Sequence, residues 1–281
     1  MTGPIKKFTA RIKARGINNT LKIIMERLSF EGNCLMTSLR LNALKIFYKK
    51  ELIIDHGKYK LNFYGGGDRN EILYHAFWDT MFSEEKDKIK NYIKQGDIVV
   101  DVGGNLGFFV LILDELVGKE GKIYTVEPSS LLREKLATTI RNNQIENTTV
   151  LNFALGESEG KTILHYNPKQ SGLTSIVNEF DNDSISEEIT ITTLDKFSGN
   201  FPGRVSFLKI DTEGYEPKVL KGAKSFIEKH RPTIYIELGG DYQNSSVEAL
   251  NILKELNYSC EAENVDLSEV PAGINFIATP K

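Results

Sequence analysis

Between Asp101 and Gly107 the chain reads DVGGNLG, an acid followed by Gly103, Gly104 and Gly107, with Asn105 among them. The apolar run Ile98–Val102 ahead of it has the make-up of a buried strand, and Phe108–Leu113 behind it supplies the apolar face of a helix. A glycine-rich strand-to-helix turn brings backbone close to a ligand and aims helix N–H groups at it. A dinucleotide fingerprint requires G-x-G-x-x-G. Here Gly104 follows Gly103 directly and Asn105 stands in the place of the second motif glycine, so a pyrophosphate would be poorly served. An acid such as Asp101 also sits badly beside phosphates and suits an ammonium or sulfonium group.

Other chemically capable residues fall where further strands would end. Glu127 follows the apolar run Ile123–Val126, lies 26 residues beyond Asp101 and precedes Pro128. A carboxylate in that position can accept hydrogen bonds from both hydroxyls of a ribose. Asn152, Phe153 and Ala154 close the next run with a mixed polar and apolar edge able to hold an adenine ring. The densest group follows Val205–Ile210, where Lys209, Asp211, Glu213 and Glu216 surround Gly214 ahead of a helix that begins near Pro217. Glu237, at the end of Thr233–Leu238, joins them if the two strands are parallel neighbours.

Charges massed at one sheet edge are costly unless they bind something. Asp211, Glu213 and Glu237 are the candidates to orient or deprotonate a hydroxyl, and Asp211 also stands within reach of a ligand over the glycine turn. His165, a lone histidine in a predicted strand, is a further candidate base, though such residues are more often structural. The same carboxylates would suit magnesium or calcium, but a divalent metal is not favoured and no metal ligand is assigned. Some of the acids have a structural reading, as helix caps or as partners of Lys209 and Lys218, and it applies first to Glu216.

These groups need a scaffold, and the apolar runs supply one. Ile98–Val102, Ile123–Val126, Val150–Ala154, Val205–Ile210, Thr233–Leu238 and Asn275–Ala278 alternate with helical patterns. That alternation predicts a Rossmann-like α/β fold, a mainly parallel sheet with helices on both faces. A β insertion interrupts it at 157–200, where Thr162–His165, Thr174–Val177 and Ile189–Thr192 read as extra strands and Ser171–Ser175 as a polar turn. Ser83, with Glu84 and Glu85 behind it and Gly96 beyond, reads as the start of a helix that opens the main domain over 83–281. Residues 1–82 form an accessory segment with a strand at Lys58–Phe63, a glycine cluster at Gly65–Gly67 and a short amphipathic helix carrying Leu21, Ile24, Met25 and Leu28 on one face.

Charge separates the two parts. Residues 1–50 hold eleven Lys and Arg against Glu26 and Glu31, so with −3 overall the remainder stands at −12. An acidic body repels a polyanion, which counts against nucleic acid as a partner. The basic helix packs on the main domain or lies against an anionic membrane surface, giving a peripheral membrane contact. Cys34 and Cys260 form neither a disulfide framework nor a zinc pattern, and no stretch approaches the ~18 apolar residues of a membrane span. The expected location is cytoplasmic.

DVGGNLG at 101–107, VEP at 126–128, FALG at 153–156, TLD at 193–195 and KIDTEGYEPKVLKG at 209–222, in this order, resemble the FkbM family of methyltransferases. The resemblance implies a class I methyltransferase fold with a seven-stranded sheet, S-adenosylmethionine as the methyl donor, and O-methylation of a sugar, glycan or other metabolite. It places the donor against Asp101, Gly103, Gly104, Asn105, Gly107, Glu127, Pro128, Asn152, Ala154 and Asp211. Gly104 departs from it, since the family often has Ala there. Two other classes compete, an NAD-dependent oxidoreductase on the same fold and an inactive methyltransferase-like scaffold that binds a partner.

Overall fold

Strands buried on both faces read as near-continuous apolar runs, and the computed structural model shows how the runs above use that property. It describes residues 52–63, 81–167, 170–175, 185–239, 242–270 and 274–281. The helix predicted around Leu21–Leu28 and the Gly65–Gly67 cluster lie outside the described residues.

Seven strands form the central sheet: β3 (Ile98–Val102), β4 (Lys122–Val126), β5 (Thr148–Leu151), β10 (Val205–Ile210), β11 (Thr233–Glu237), β12 (Tyr258–Cys260) and β13 (Asn275–Pro280). Their spatial order is β12-β13-β11-β10-β3-β4-β5, and β13 runs antiparallel to both neighbours while the other strands run parallel. Counted along the chain, that is 3-2-1-4-5-7-6. The order reverses between β3 and β10, and in such sheets ligands bind outside the carboxyl ends of the strands at that switch point.

Alternation along the strands feeds two cores. Val100, Val102, Leu208, Ile210, Ile234 and Ile236 face one layer, with Val219 and Leu220 of α4 (Glu216–Lys221), Phe226 of α5 (Lys224–His230) and Leu253 of α6 (Gln243–Glu255). Val99, Phe207, Tyr235 and Ile123 face the other, with Ile89 of a helix over 81–89, Phe109 to Leu113 of α1 (Phe108–Val117) and Leu136 of α2 (Ser130–Asn142). Ser83 lies inside the helix over 81–89, which is already helical at residue 81, so it does not cap it. That helix ends at residue 89 and Gly96 sits in the following turn, with φ +85°.

The run Val150–Ala154 is divided between two sheets. β5 ends at Leu151, and Ala154 begins β6 (Ala154–Leu155), which pairs with β9 (Ile185–Thr192) in a second, four-stranded sheet ordered β6-β9-β7-β8. The other members are β7 (Gly160–Asn167) and β8 (Gln170–Ser175), so Ser171–Ser175, expected as a turn, is strand. The hairpin of β1 (Leu52–His56) and β2 (Tyr59–Phe63), which the sequence places in the accessory segment, docks on the main sheet's helices. The Tyr59 hydroxyl donates to the Leu111 carbonyl at 3.0 Å, and Asn143 exchanges two 2.7 Å hydrogen bonds with the Lys60 backbone.

A compact junction joins the two sheets. Helix α5 has Ala223 at its N-cap, which offers no side-chain acceptor, and Asp195 of α3 (Leu194–Phe197) takes that role. Its carboxylate accepts from the Phe226 and Ser225 amides at 2.7 and 3.2 Å, while its own amide donates to the Gly222 carbonyl at 2.9 Å. A methyl group on Gly222 would stand 1.9 Å from the Gly156 carbonyl oxygen. Asp195→Ala is expected to lower unfolding free energy by about 1 kcal/mol, the usual worth of an N-cap. Urea denaturation checks this, and an unchanged midpoint would show that the helix start does not depend on Asp195.

Candidate active site

Asp101 lies in register with Thr125 of β4 on one side and Lys209 of β10 on the other. It is fully buried; Oδ2 accepts from the Thr125 hydroxyl at 2.9 Å and Oδ1 faces Lys209 Nζ at 3.3 Å. Burial pushes its carboxyl up, against the pull of Lys209 and Thr125. Lys209 Nζ is also 3.1 Å from Asp211 Oδ2 and 5.1 Å above the Phe109 ring. Burial alone would lower the Lys209 ammonium, but Asp211 and Asp101 outweigh it and drive it above its ordinary value.

The turn after β3 is backbone built against backbone. Gly103 and Gly104 both donate to the Val126 carbonyl at 3.0 Å, and Gly107 donates to the Gly104 carbonyl at 2.9 Å. Gly103 has φ +89°, and a Cβ there would stand 1.9 Å from the Asp211 carbonyl oxygen. Gly107, also at positive φ, caps α1. Asn105 takes the left-handed conformation at φ 46°, which Asn tolerates better than most residues, and aims its amide at Glu127.

Glu127 is 3% exposed, with Oε2 accepting from the Asn105 amide and Oε1 from the Ser129 amide, both at 2.9 Å. Burial pushes it up to about 7 in spite of those two amides and the nearby Arg133. Pro128 is half-buried and its carbonyl accepts from the Arg133 guanidinium, which also donates to the Glu127 carbonyl at 3.1 Å. Asn152 is exposed between β5 and β6. The Ala154 side chain is buried beside Leu164 and Ile189, so what it can offer a ligand is backbone.

Asp211, Glu213 and Glu237 each bring a carboxylate oxygen within 4.8 Å of the others. Their environments separate them. Asp211 is held below its usual range because Lys209 and a hydrogen bond with Glu237 outweigh burial. Burial and the Asp211 charge push Glu213 up to about 8 and Glu237 up to about 10. At neutral pH these shifts leave Asp211 as the firmly ionised member of the group, beside the Lys209 ammonium.

Glu213 also sits at φ 54°, an uncommon conformation for a residue other than glycine. Glu216 holds the loop in that shape: its Oε1 accepts from the Thr212 amide at 2.8 Å, the Thr212 hydroxyl at 3.0 Å and the Gly214 amide at 3.2 Å. Glu216 thus ties the preceding loop rather than pairing with Lys209 or Lys218. Lys218 pairs with Glu157 at 2.6 Å rather than with the cluster. His165 belongs to the second sheet, with Nδ1 3.0 Å from the Ser186 hydroxyl.

The strand order, the antiparallel seventh strand and the glycine turn at the switch point define a class I methyltransferase fold. The methyltransferase FkbM domain profile matches residues 101–260, and the chain belongs to that family of S-adenosylmethionine-dependent methyltransferases. Over 69 residues it is 35% identical to the protein-L-isoaspartate O-methyltransferase of Methanococcus aeolicus, covering 24% of this chain and 32% of that one. The corresponding enzyme of Ignicoccus hospitalis is 36% identical over 59 residues, 21% of this chain and 28% of that one. The chain thus matches about a third of the length of these curated relatives.

Among solved structures, the methyltransferase FkbM of Methylobacillus flagellatus aligns with TM-score 0.43 and 17% identity, over 67% of this chain and 48% of that one. A putative rRNA methylase of Clostridium thermocellum aligns with TM-score 0.46 and 15% identity, over 71% and 94%. Fibrillarin of Aeropyrum pernix with bound S-adenosylmethionine aligns with TM-score 0.44 and 11% identity, over 70% and 74%.

Gly104 stands where a side chain has little room. A Cβ would lie 2.3 Å from Thr125 Oγ1, the hydroxyl that holds Asp101, and 3.1 Å from Leu136 Cδ2. Gly104→Ala is expected to cost about 1–3 kcal/mol of stability, as overpacking of a filled site does; a denaturant midpoint equal to that of the unaltered protein would show that Thr125 yields freely.

Proposed function

We propose that the chain transfers the methyl group of S-adenosylmethionine to a hydroxyl oxygen of a small molecule or glycan. The observation that carries this reading is a shared sheet edge: Glu127 and the Gly103–Gly107 turn end β4 and β3, and the three-carboxyl cluster ends the neighbouring β10 and β11. Ionised Glu127 accepts the two ribose hydroxyls through the lone pairs its backbone amides leave open. The adenine lies along the backbone of 152–154, and the methionyl group reaches across the glycine turn toward Asp211.

Displacement at a sulfonium requires nucleophile, methyl carbon and sulfur in line. The acceptor oxygen forms a bond to the methyl carbon as the carbon–sulfur bond breaks, the sulfur keeps the electron pair, and the hydroxyl proton must leave. Positioning supplies much of the acceleration. A base works best when its pKa lies near the working pH, which fits Glu213 at about 8 better than Asp211, a weak proton acceptor. Asp211 orients the reacting groups as a fixed negative charge, and Glu237, protonated, donates a hydrogen bond to it. Differently tuned carboxyls in one site divide acid, base and electrostatic roles in this way.

Isotopically labelled methyl donor incubated with the protein and with metabolite extract, glycan and total RNA in separate arms tests the reading. Label is expected in a base-stable ether on a small molecule or glycan, and label in RNA or on nitrogen would overturn it. On that acceptor, turnover should rise with pH through about 8 as Glu213 loses its proton. Glu213→Gln should cost about 100-fold or more in kcat and remove that rising limb, with donor affinity kept. An unchanged profile would move the base to Glu237 or His165.

A further inference from the structure

A lysine buried to 4% exposure inside a sheet face is uncommon, and its surroundings are specific. Strand register sets Thr125, Asp101, Lys209 and Tyr235 in one row across β4, β3, β10 and β11, on the face that α1 covers. An ammonium has three N–H donors and no acceptor. Lys209 meets three oxygens: Asp211 Oδ2 at 3.1 Å, Asp101 Oδ1 at 3.3 Å and the Gly103 carbonyl at 3.4 Å. Two of the three belong to the donor turn and the strand leading into it, and the third to the carboxyl cluster.

One buried acid would be enough to neutralise one buried lysine. Here the second acid lies on the far side of the crevice between β3 and β10, where the chain paths diverge. At that point the two backbones touch: the Asp211 amide donates to the Val102 carbonyl at 3.1 Å, and any Cβ on Gly103 would strike the Asp211 carbonyl. Asp101, with both oxygens turned to Thr125 and Lys209, has no exposed surface from which to meet a ligand.

We infer that Lys209 is a positioning residue of the transfer site, its single ammonium fastening the Gly103 carbonyl of the donor turn and the buried Asp101 to the acceptor-side carboxylate of Asp211. Asp101 then acts on the donor through Lys209 rather than by contact. This rests on the methyltransferase reading given above, and it assigns a role to the lysine that opens the KIDTEG segment.

Four forms of the full chain separate positioning from simple charge neutralisation: unaltered, Lys209→Met, Asp101→Asn, and both together. Urea denaturation reads folding, and calorimetric titration with S-adenosylhomocysteine reads the donor site. Lys209→Met leaves Asp101 buried without its cation and is expected to lose stability. The double variant removes both charges and should recover most of that loss. Its affinity for S-adenosylhomocysteine should nevertheless remain about tenfold or more below that of the unaltered protein, the worth of a lost charge-assisted contact.

A double variant that binds as the unaltered protein does would overturn the inference while leaving the methyltransferase reading intact. An unaltered protein that fails to bind S-adenosylhomocysteine would overturn both. Should the variants not fold, the Lys209 ammonium resonance of the unaltered protein decides: it should shift when S-adenosylhomocysteine is added, and a resonance indifferent to saturation would overturn the inference.

Discussion

Parallel strands that neighbour one another finish at one edge, and the chain must leave that edge in opposite directions at the point where the strand order reverses. The resulting crevice would be a gap in the core unless something filled and fixed it. In this molecule the filling is ionic. Lys209 reaches from β10 toward β3 beneath the crevice and holds Asp101, Asp211 and the Gly103 carbonyl at once. A buried charge without partners is strongly destabilising, so Lys209 ties the position of the glycine turn to that of the carboxyl cluster, alongside the backbone contact of Asp211 with Val102.

From that anchor, distance and burial sort the acids into kinds. Glu127, across the turn, is pushed up by burial to about 7 while its two oxygens are aimed by the Asn105 and Ser129 amides. Asp211 keeps its charge because Lys209 stands beside it, and burial together with that charge pushes Glu213 and Glu237 upward. Glu216 looks like a member of the same group in sequence, but it folds back to tie the Thr212–Gly214 backbone. The unusual φ of Glu213 is a product of that tie.

Much of this was legible in the chain. Ile98–Val102 and Val205–Ile210 are strands with the bounds their apolar runs predict, because the central strands are covered on both faces and tolerate few polar residues. Legibility fails where a residue's partner is remote. The run Val150–Ala154 carries no mark of where one sheet hands over to another, and β12 is only three residues, Tyr258, Ser259 and Cys260, recognisable once β13 lies beside it. The polar Ser171–Ser175 reads as a turn because its strand identity comes from pairing with β7 rather than from its own composition.

Among site residues, Asp211, Glu213 and Glu237 could be grouped from their strand-end positions, whereas the capping by Asp195, the Gly156–Gly222 approach and the threefold grip of Lys209 depend on contacts that spacing does not disclose. TLD, Gly156 of FALG and the KG at 221–222 therefore meet at the junction of the two sheets, although they stand beside the chemical motifs in the sequence.

The central claim is that the β3–β4 edge is built for the nucleoside of a methyl donor, with Glu127 as the ribose acceptor. Calorimetric titration of the unaltered protein with S-adenosylhomocysteine and, separately, with NAD, at pH 6 and at pH 8, tests it most directly. Ribose hydroxyls favour the ionised carboxylate, so protonation below about 7 opposes binding. S-adenosylhomocysteine should bind at one site, more tightly at pH 8 by up to about tenfold from one linked proton, and NAD should not bind. Saturable binding of NAD, or S-adenosylhomocysteine affinity that is absent or the same at both pH values, would contradict the account.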